Sequence, residues 1–183
     1  MLIGIVIAVS GAVLLLGPTA VSRVRRGKRN LRKSFGPEYE TVAQELDSKK
    51  DVDRELLRRK RLHDRLSLHP ISADDQDYYL TAWEHLQGVF FDNPALALRG
   101  GGQLVSQLLD ARGYPGDYPA EQLALLSVEH ADALGDYRRA QRISDLTRDS
   151  SASVPTEEIR QALLSYHKMI NSLMAVPGAL AAR

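Results

Sequence analysis

The sequence predicts an all-α protein with one N-terminal transmembrane helix, a long charged stalk helix and a small antiparallel helical bundle. Apolar residues recur at helical spacing, and no segment alternates apolar and polar residues as a half-buried strand would. Prolines, glycines and short polar side chains fall where such helices would begin and end. We expect a transmembrane anchor at 1–22, a basic juxtamembrane segment at 23–36, a charged stalk helix at 37–68, a helical bundle domain at 69–176 and a C-terminal tail at 177–183.

The predicted anchor is an apolar run from Leu2 to Gly17 in which Ser10 is the only polar side chain. Uncharged residues continue to Val21, so the run reaches about 20 residues, the length a helix needs to cross about 30 Å of hydrocarbon. The alternative is a buried core helix. The apolar character of every face and the start at Met1 disfavour it, so we expect a membrane helix.

A basic block follows the anchor and predicts its orientation. Its cationic residues are Arg23, Arg25, Arg26, Lys28, Arg29, Arg32 and Lys33. Because Lys and Arg stay on the cytoplasmic side, we expect the N-terminus outside the bacterial cytoplasmic (inner) membrane and the C-terminal domain in the cytoplasm. A cleaved signal peptide would need a basic region before the apolar run. The block is either a plain topology signal or, in addition, a contact for anionic lipid headgroups.

Charge is unevenly distributed along the 183 residues, whose formal net charge is +1. The basic block holds seven of the 24 Lys and Arg residues and none of the 23 Asp and Glu residues, which leaves residues 34–183 with a formal charge of −6. We therefore expect no nucleic-acid binding, which normally requires a basic face. The absence of cysteine excludes disulfides, thiolate catalysis and cysteine-based zinc sites.

The stalk helix is predicted to begin at Pro37, since proline is favoured in the first helical turn. No glycine or proline occurs from Glu38 to Leu66, and the apolar stripe is too thin to predict a coiled coil. We expect a long charged helix with a break near Asp47-Ser48. It ends at His69-Pro70, because the residue before a proline is disfavoured in a helix.

The next helix is expected to be the centre of the core, with Ser72 at its N-terminal cap. Its apolar stripe consists of Tyr79, Trp83, Leu86 and Phe90. Further core residues predicted from later helices are Leu108, Tyr137 and Tyr166. The helix ends in the turn Asp92-Asn93-Pro94, which we interpret as a cap and tight connection. The alternative is a carboxylate presented beside Trp83 and Phe90.

The later helices are predicted from Pro94 to Gly113, around 121–127, from 129 to 148 and from Pro155 to about 176. Gly100-Gly101-Gly102 lies inside the first of them, although each glycine in a helix costs about 1 kcal/mol relative to alanine. No Gly-Lys-Ser/Thr motif follows and no strand precedes, which argues against a phosphate loop. A kink, a frayed turn or a close helix contact explains the run better.

Several short motifs occur together in a characteristic order. They are Phe35-Gly36-Pro37-Glu38-Tyr39, Tyr79 with Trp83, Phe90-Phe91-Asp92-Asn93-Pro94, Arg112-Gly113-Tyr114-Pro115, Leu126-Ser127-Val128-Glu129-His130, Tyr137-Arg138 and Arg160-Gln161-Ala162. The chain thereby resembles a family of uncharacterised bacterial, mostly actinobacterial, single-pass membrane proteins with a helical soluble domain. The resemblance spans most of residues 35–174 and implies that architecture but no activity. The family pattern has proline where this chain has Ala131, and it lacks the triple glycine.

No catalytic, cofactor or metal motif stands out, so we predict no such site. Glu84-His85 and His130 occur near carboxylates but without the spacing of a zinc protease. The acidic residues Asp74, Asp75 and Asp77 lack the glycine-centred loop of a calcium-binding EF-hand.

The leading functional hypothesis is a non-enzymatic protein-interaction or scaffold module at the membrane, with an unidentified protein partner. Small residues at Gly4, Ala8, Gly11 and Ala12 would also permit a transmembrane homodimer. One alternative is a membrane-bound, hydrolase-like enzyme that uses His85 or His130 with nearby carboxylates. Another is a sensor of anionic lipid surfaces that uses the basic block.

Removing residues 2–22 should release the protein from the membrane, because this run supplies the apolar surface that a bilayer would hold. We expect the full chain to stay in the membrane fraction after high-salt and alkaline carbonate washes, and the shortened chain to be soluble. The control replaces the seven cations of the basic block with Gln and should remain in the membrane fraction. Release of the full chain by salt alone would contradict the prediction.

Overall fold

The computed structural model describes residues 31–148 and 153–175, and within them the chain forms seven helices and no strand. The helices are α1 at residues 31–45, α2 Lys49–His63, α3 Ala73–Asp92, α4 Pro94–Arg112, α5 Pro119–Leu126, α6 Ala131–Leu146 and α7 Thr156–Met174. The all-α class is confirmed for this part of the chain. None of its helices is both long and apolar enough to cross a membrane. The predicted anchor at 1–22 and tail at 177–183 lie outside the described residues.

The chain divides into two compact units, Met1–Leu56 and Leu57–Arg183, with the boundary inside α2. The described part of the first unit comprises α1 and the first half of α2. Its buried apolar side chains are Leu31, Phe35, Val42, Val52 and Leu56.

Two features divide the first unit along its length. Gly36 has a φ of 46°, which a regular right-handed helix does not contain, so the helical path changes just before Pro37, the predicted start of the stalk. The helix breaks again at residues 46–48, at the predicted position, and Ser48 Oγ accepts a hydrogen bond from the Asp51 amide at 3.2 Å.

The structure differs from the predicted stalk at 37–68. The second half of α2 belongs to the second unit, where Leu62 and Leu66 pack against the core and His63 is buried. The charged sequence of this segment indicated an exposed helix throughout. Two of its few apolar residues, Leu62 and Leu66, nevertheless pack on the core, whereas Leu57 is 43% exposed.

Local signals explain both ends of α3. Ser72 Oγ accepts a hydrogen bond from the Asp75 amide at 3.1 Å, as expected of an N-terminal cap. At the other end, Asn93 Oδ1 accepts a hydrogen bond from the Leu96 amide at 2.9 Å, and Pro94 is the first residue of α4. Asp92 is exposed as the last residue of α3.

The core is centred on α4 and α7, whereas we predicted α3. Eight residues of α4 and seven of α7 are buried, but only Tyr79 and Trp83 of α3 are. Leu86 and Phe90 are half-buried and pack at the edge of the core. The predicted core residues Leu108, Tyr137 and Tyr166 are all buried. The aromatic stripe revealed which face of α3 is inward but not how much protein lies against it.

The glycine run of α4 is a site of close helix contact. A Cβ atom on Gly101 would lie 3.0 Å from Leu163 Cδ1 and 3.2 Å from Tyr166 Cδ2, both on α7. A Cβ atom on Gly100 would lie 2.4 Å from Leu86 Cδ2 on α3. The run remains helical, so of the three explanations considered above the close contact is the one observed.

Helices α6 and α7 are antiparallel, because their contacts run in opposite directions along the two sequences. His130, which precedes α6, bonds to Ser172 near the end of α7, and Lys168 Nζ donates to Asp136 Oδ2 at 2.7 Å further along. Tyr137 then meets Tyr166, with ring centroids 5.9 Å apart.

Gly101→Ala should lower the free energy of unfolding by about 1–2 kcal/mol, since the added methyl group overpacks the contact with α7. Gly88→Ala on α3 is the matched control, because its Cβ would meet nothing within 4 Å. The control should gain up to about 1 kcal/mol from helix propensity. Urea unfolding followed by circular dichroism measures the free energy of unfolding of both variants. An equal increase in the two would contradict the prediction, since the contact at Gly101 would then tolerate a side chain.

Candidate functional site

The second unit carries an open groove of about 870 Å³ between α4, α5 and α6, a volume within the range of ligand-binding clefts. We call it the arginine groove. Its charged and amide side chains are Arg99, Arg138, Arg142, Arg148, Asp145, Gln103, Gln122 and Gln141. These residues come from separate helices, so the fold and not a local motif brings them together.

The charges of the arginine groove are poorly balanced. Among the described residues that line it, Asp145 is the only acidic one, and Asp145 Oδ1 accepts from Arg148 Nη1 at 2.7 Å. Arg138 also interacts within the chain. Arg99 and Arg142 form no ion pair with any side chain in residues 31–148 or 153–175. The groove therefore concentrates positive potential in a unit, residues 57–183, whose formal charge is −2.

Two tyrosines line the inner part of the groove without adding negative charge. Burial raises the pKa of Tyr137 to about 12, and burial also raises the pKa of Tyr166. Both hydroxyls therefore stay protonated near neutral pH. Gln141 Nε2 donates a hydrogen bond to Tyr137 Oη at 3.1 Å, which holds one of the lining amides against the tyrosine.

A second, smaller pocket of about 320 Å³ lies between α6 and α7. Charges of both signs line it, among them Asp136, Glu158, Arg139 and Lys168. Lys168 is paired with Asp136 at 2.7 Å, so this pocket selects an anion or a cation much less strongly than the arginine groove does.

A buried polar network forms a third candidate. His130 Nδ1 lies 2.7 Å from Ser172 Oγ, and His130 Nε2 lies 3.2 Å from Tyr114 Oη. His130 is 5% exposed. Burial, reinforced by the charge of Arg112, lowers the pKa of His130 to about 4, so the imidazole is neutral near pH 7.

Two further buried groups surround this network. Arg112 is 2% exposed, and its Nη1 donates to the His69 carbonyl at 2.8 Å while the His69 amide donates to the Arg112 carbonyl at 2.9 Å. His63 Nε2 lies 3.8 Å from Glu129 Oε2, which is too long for a hydrogen bond. Burial lowers the pKa of His63, and the Glu129 carboxylate partly opposes that shift.

The Ser172–His130 pair has the contact distance of a nucleophile and its base, but its environment favours a structural role. A general base works best when its pKa is close to the operating pH, and that of His130 is about 4. The pair joins the end of α7 to the start of α6 inside the bundle. His85, the other histidine of the enzyme hypothesis, is exposed on α3.

Only Arg32 and Lys33 of the predicted lipid-facing block lie within the described residues; Arg23, Arg25, Arg26, Lys28 and Arg29 lie outside them. Arg32 Nε donates to Glu40 Oε1 at 2.8 Å, and its guanidinium lies 5.4 Å from the Tyr39 ring centroid. The Glu40 hydrogen bond raises the pKa of Arg32. Because this charge is balanced within α1, Arg32 is a weaker lipid contact than the sequence indicates.

The remaining candidate residues lie apart from the arginine groove. Trp83 stacks on His167, with ring centroids 4.3 Å apart, so it packs between helices α3 and α7. Asp75 accepts a hydrogen bond from the Ser72 hydroxyl at 2.6 Å, which is a capping contact. Across residues 31–148 and 153–175, no three His, Asp or Glu side chains are grouped so that they could hold a metal ion.

Sequence reasoning missed the arginine groove. The one local signal was the spacing of Arg138 and Arg142, four residues apart and therefore on one face of α6. Arg99 is far away in sequence, and nothing in its neighbourhood indicates that α4 and α6 line a common groove. Comparisons of the chain with protein-family models, curated proteins and solved structures give no match.

Acidification should destabilise the fold through His130. Between pH 6.5 and pH 4 the unfolded chain binds a proton that the folded chain excludes, so stability falls as pH falls. We expect His130 to account for about 3 kcal/mol of lost stability by pH 4. His130→Gln should reduce this loss, whereas His85→Gln should not. Urea unfolding at several pH values tests this, and identical pH profiles of all three proteins would contradict it.

Proposed function

We propose that the protein is a binding module tethered to the cytoplasmic membrane, and that the arginine groove is its docking site for a protein partner. The groove itself carries this proposal. It is large enough to receive a ligand, and it presents Arg99 and Arg142, which form no ion pair with the described residues. Anionic groups of a partner would balance the charges of Arg99 and Arg142.

The proposed tether rests on the sequence of the first 33 residues. The apolar run to Val21 has the length of a membrane helix, and the basic block after it has the charge expected on the cytoplasmic side. We therefore propose that residues 1–22 span the membrane and that residues 23–183 lie in the cytoplasm. The resemblance to single-pass actinobacterial proteins implies a single N-terminal membrane helix and a helical domain.

Site-specific photo-crosslinking in cells tests the docking site. A photoreactive residue replaces Ser106 or Gln141 in the groove, or Glu84 on α3 as the control outside it. We expect one defined partner to be crosslinked from both groove positions and not from Glu84. The product is quantified by mass spectrometry of the membrane fraction.

Charge reversal shows whether the crosslink depends on the arginines. Arg99→Glu with Arg142→Glu should abolish it, whereas Arg139→Glu should not, because Arg139 is exposed on α6 outside the groove. Two results would argue against the groove as the docking site. One is that the same crosslinked products form from Ser106, Gln141 and Glu84, and the other is that the crosslink persists in the variant that carries Arg99→Glu and Arg142→Glu.

A further inference from the structure

We infer that the arginine groove binds an acidic linear segment of a partner protein, a short stretch whose carboxylates pair with the arginines. This inference rests on the proposed function and adds the chemistry of the partner. It follows from three properties of the groove, namely the spacing of its cations, the nature of its other side chains and the charge of its surroundings.

The cations of the groove form an extended row. Arg138, Arg142 and Arg148 follow one another along α6 and its C-terminal turn, a span of about 15 Å at the helical rise of 1.5 Å per residue. Arg99 on α4 lines the same groove. A single small anion cannot contact cations spread over this length. An extended peptide of about five residues covers it, at about 3.3 Å per residue.

The other lining residues match a peptide. The amides of Gln103 and Gln122 can each donate to and accept from a peptide backbone. Leu123, which is half-buried, adds apolar surface to the lining, where an apolar side chain between two acidic ones can rest. Guanidinium groups bind carboxylates through two parallel hydrogen bonds, which suits glutamate and aspartate side chains.

The surroundings favour a short acidic segment over a long polyanion. The second unit, residues 57–183, contains 14 Lys and Arg and 16 Asp and Glu residues, a formal charge of −2; the groove accounts for +3 of it, so the residues outside the groove sum to −5. A nucleic acid extends well beyond 15 Å and would also meet the residues outside the groove, whose excess of acidic side chains repels it. Arg148 already pairs with Asp145, and Arg138 interacts within the chain, so Arg99 and Arg142 are the arginines to which a short segment would bring carboxylates.

Fluorescence anisotropy with the full chain in nonionic detergent micelles tests the inference. The probe is a labelled ten-residue peptide of alternating Glu and Leu, and its Gln-for-Glu counterpart is the reference. We expect saturable binding of the acidic peptide, at least about tenfold tighter than the reference, and several-fold weaker between 50 and 300 mM salt because exposed charges are screened. Equal binding of the two peptides would overturn the inference.

Charge exchange assigns the binding to the groove. Arg142→Glu should lower the affinity for the acidic peptide about tenfold. A peptide in which one Glu is replaced by Lys should bind that variant more tightly than the acidic peptide does. Arg139→Glu, the control on the same helix, should bind like the native chain, and circular dichroism checks that each variant is folded. An unchanged affinity in Arg142→Glu would overturn the inference, as would preferential binding of tripolyphosphate or a single-stranded oligonucleotide.

The two proposals fail in different ways. A groove-dependent crosslink in cells together with no preference for the acidic peptide would refute the acidic segment and leave the docking site in place. The absence of a groove-dependent crosslink would refute the docking site itself.

Discussion

The close approach of α4 and α7 at Gly101 is the contact on which the rest of the bundle depends. These two helices bury the most side chains, and a Cβ at Gly101 would lie 3.0 Å from Leu163 Cδ1. Three successive glycines weaken α4 as an isolated helix, but they let the backbone lie against α7 and so bring the flanking leucines into close contact. The same run lets Tyr166 reach the groove beside Gly102, so packing and candidate site share one origin.

The buried polar network shows a different balance of forces. Both ring nitrogens of His130 form hydrogen bonds, one with Ser172 and one with Tyr114. Because the imidazole is neutral, its burial does not require a charge to leave water. Arg112 keeps its charge and is 2% exposed, but its Nε has no hydrogen-bond partner in the described part of the chain. Its guanidinium is therefore stabilised mainly by the His69 carbonyl. The network therefore connects the ends of α4 and α7 to the start of α6.

Sequence signals that act within a few residues predicted the corresponding features. Ser72 and Asn93 cap the starts of α3 and α4 through side-chain hydrogen bonds, and Gly113 ends α4 through its left-handed backbone angles. Each signal can be recognised from neighbouring residues alone. The inward face of α7 was also predictable from its spacing of apolar residues. The second half of α2 and the arginine groove were not, because each depends on which helices become neighbours. An exposed arginine on a charged helix gives no local sign that a second helix places another arginine beside it.

The paired hydrogen bonds between His69 and Arg112 have a consequence for the order of folding. They close the segment that contains α3 and α4, whose connection is the single residue Asn93. Residues on either side of Asn93 are close in sequence, so contacts near this turn require little loop closure and we expect the α3–α4 hairpin to assemble early. Helices α6 and α7 are likewise consecutive in the chain and antiparallel, so we expect them to form a second hairpin. The glycine face of α4 would then meet α7 when the two hairpins join, so we expect the Gly101 contact to form late in folding.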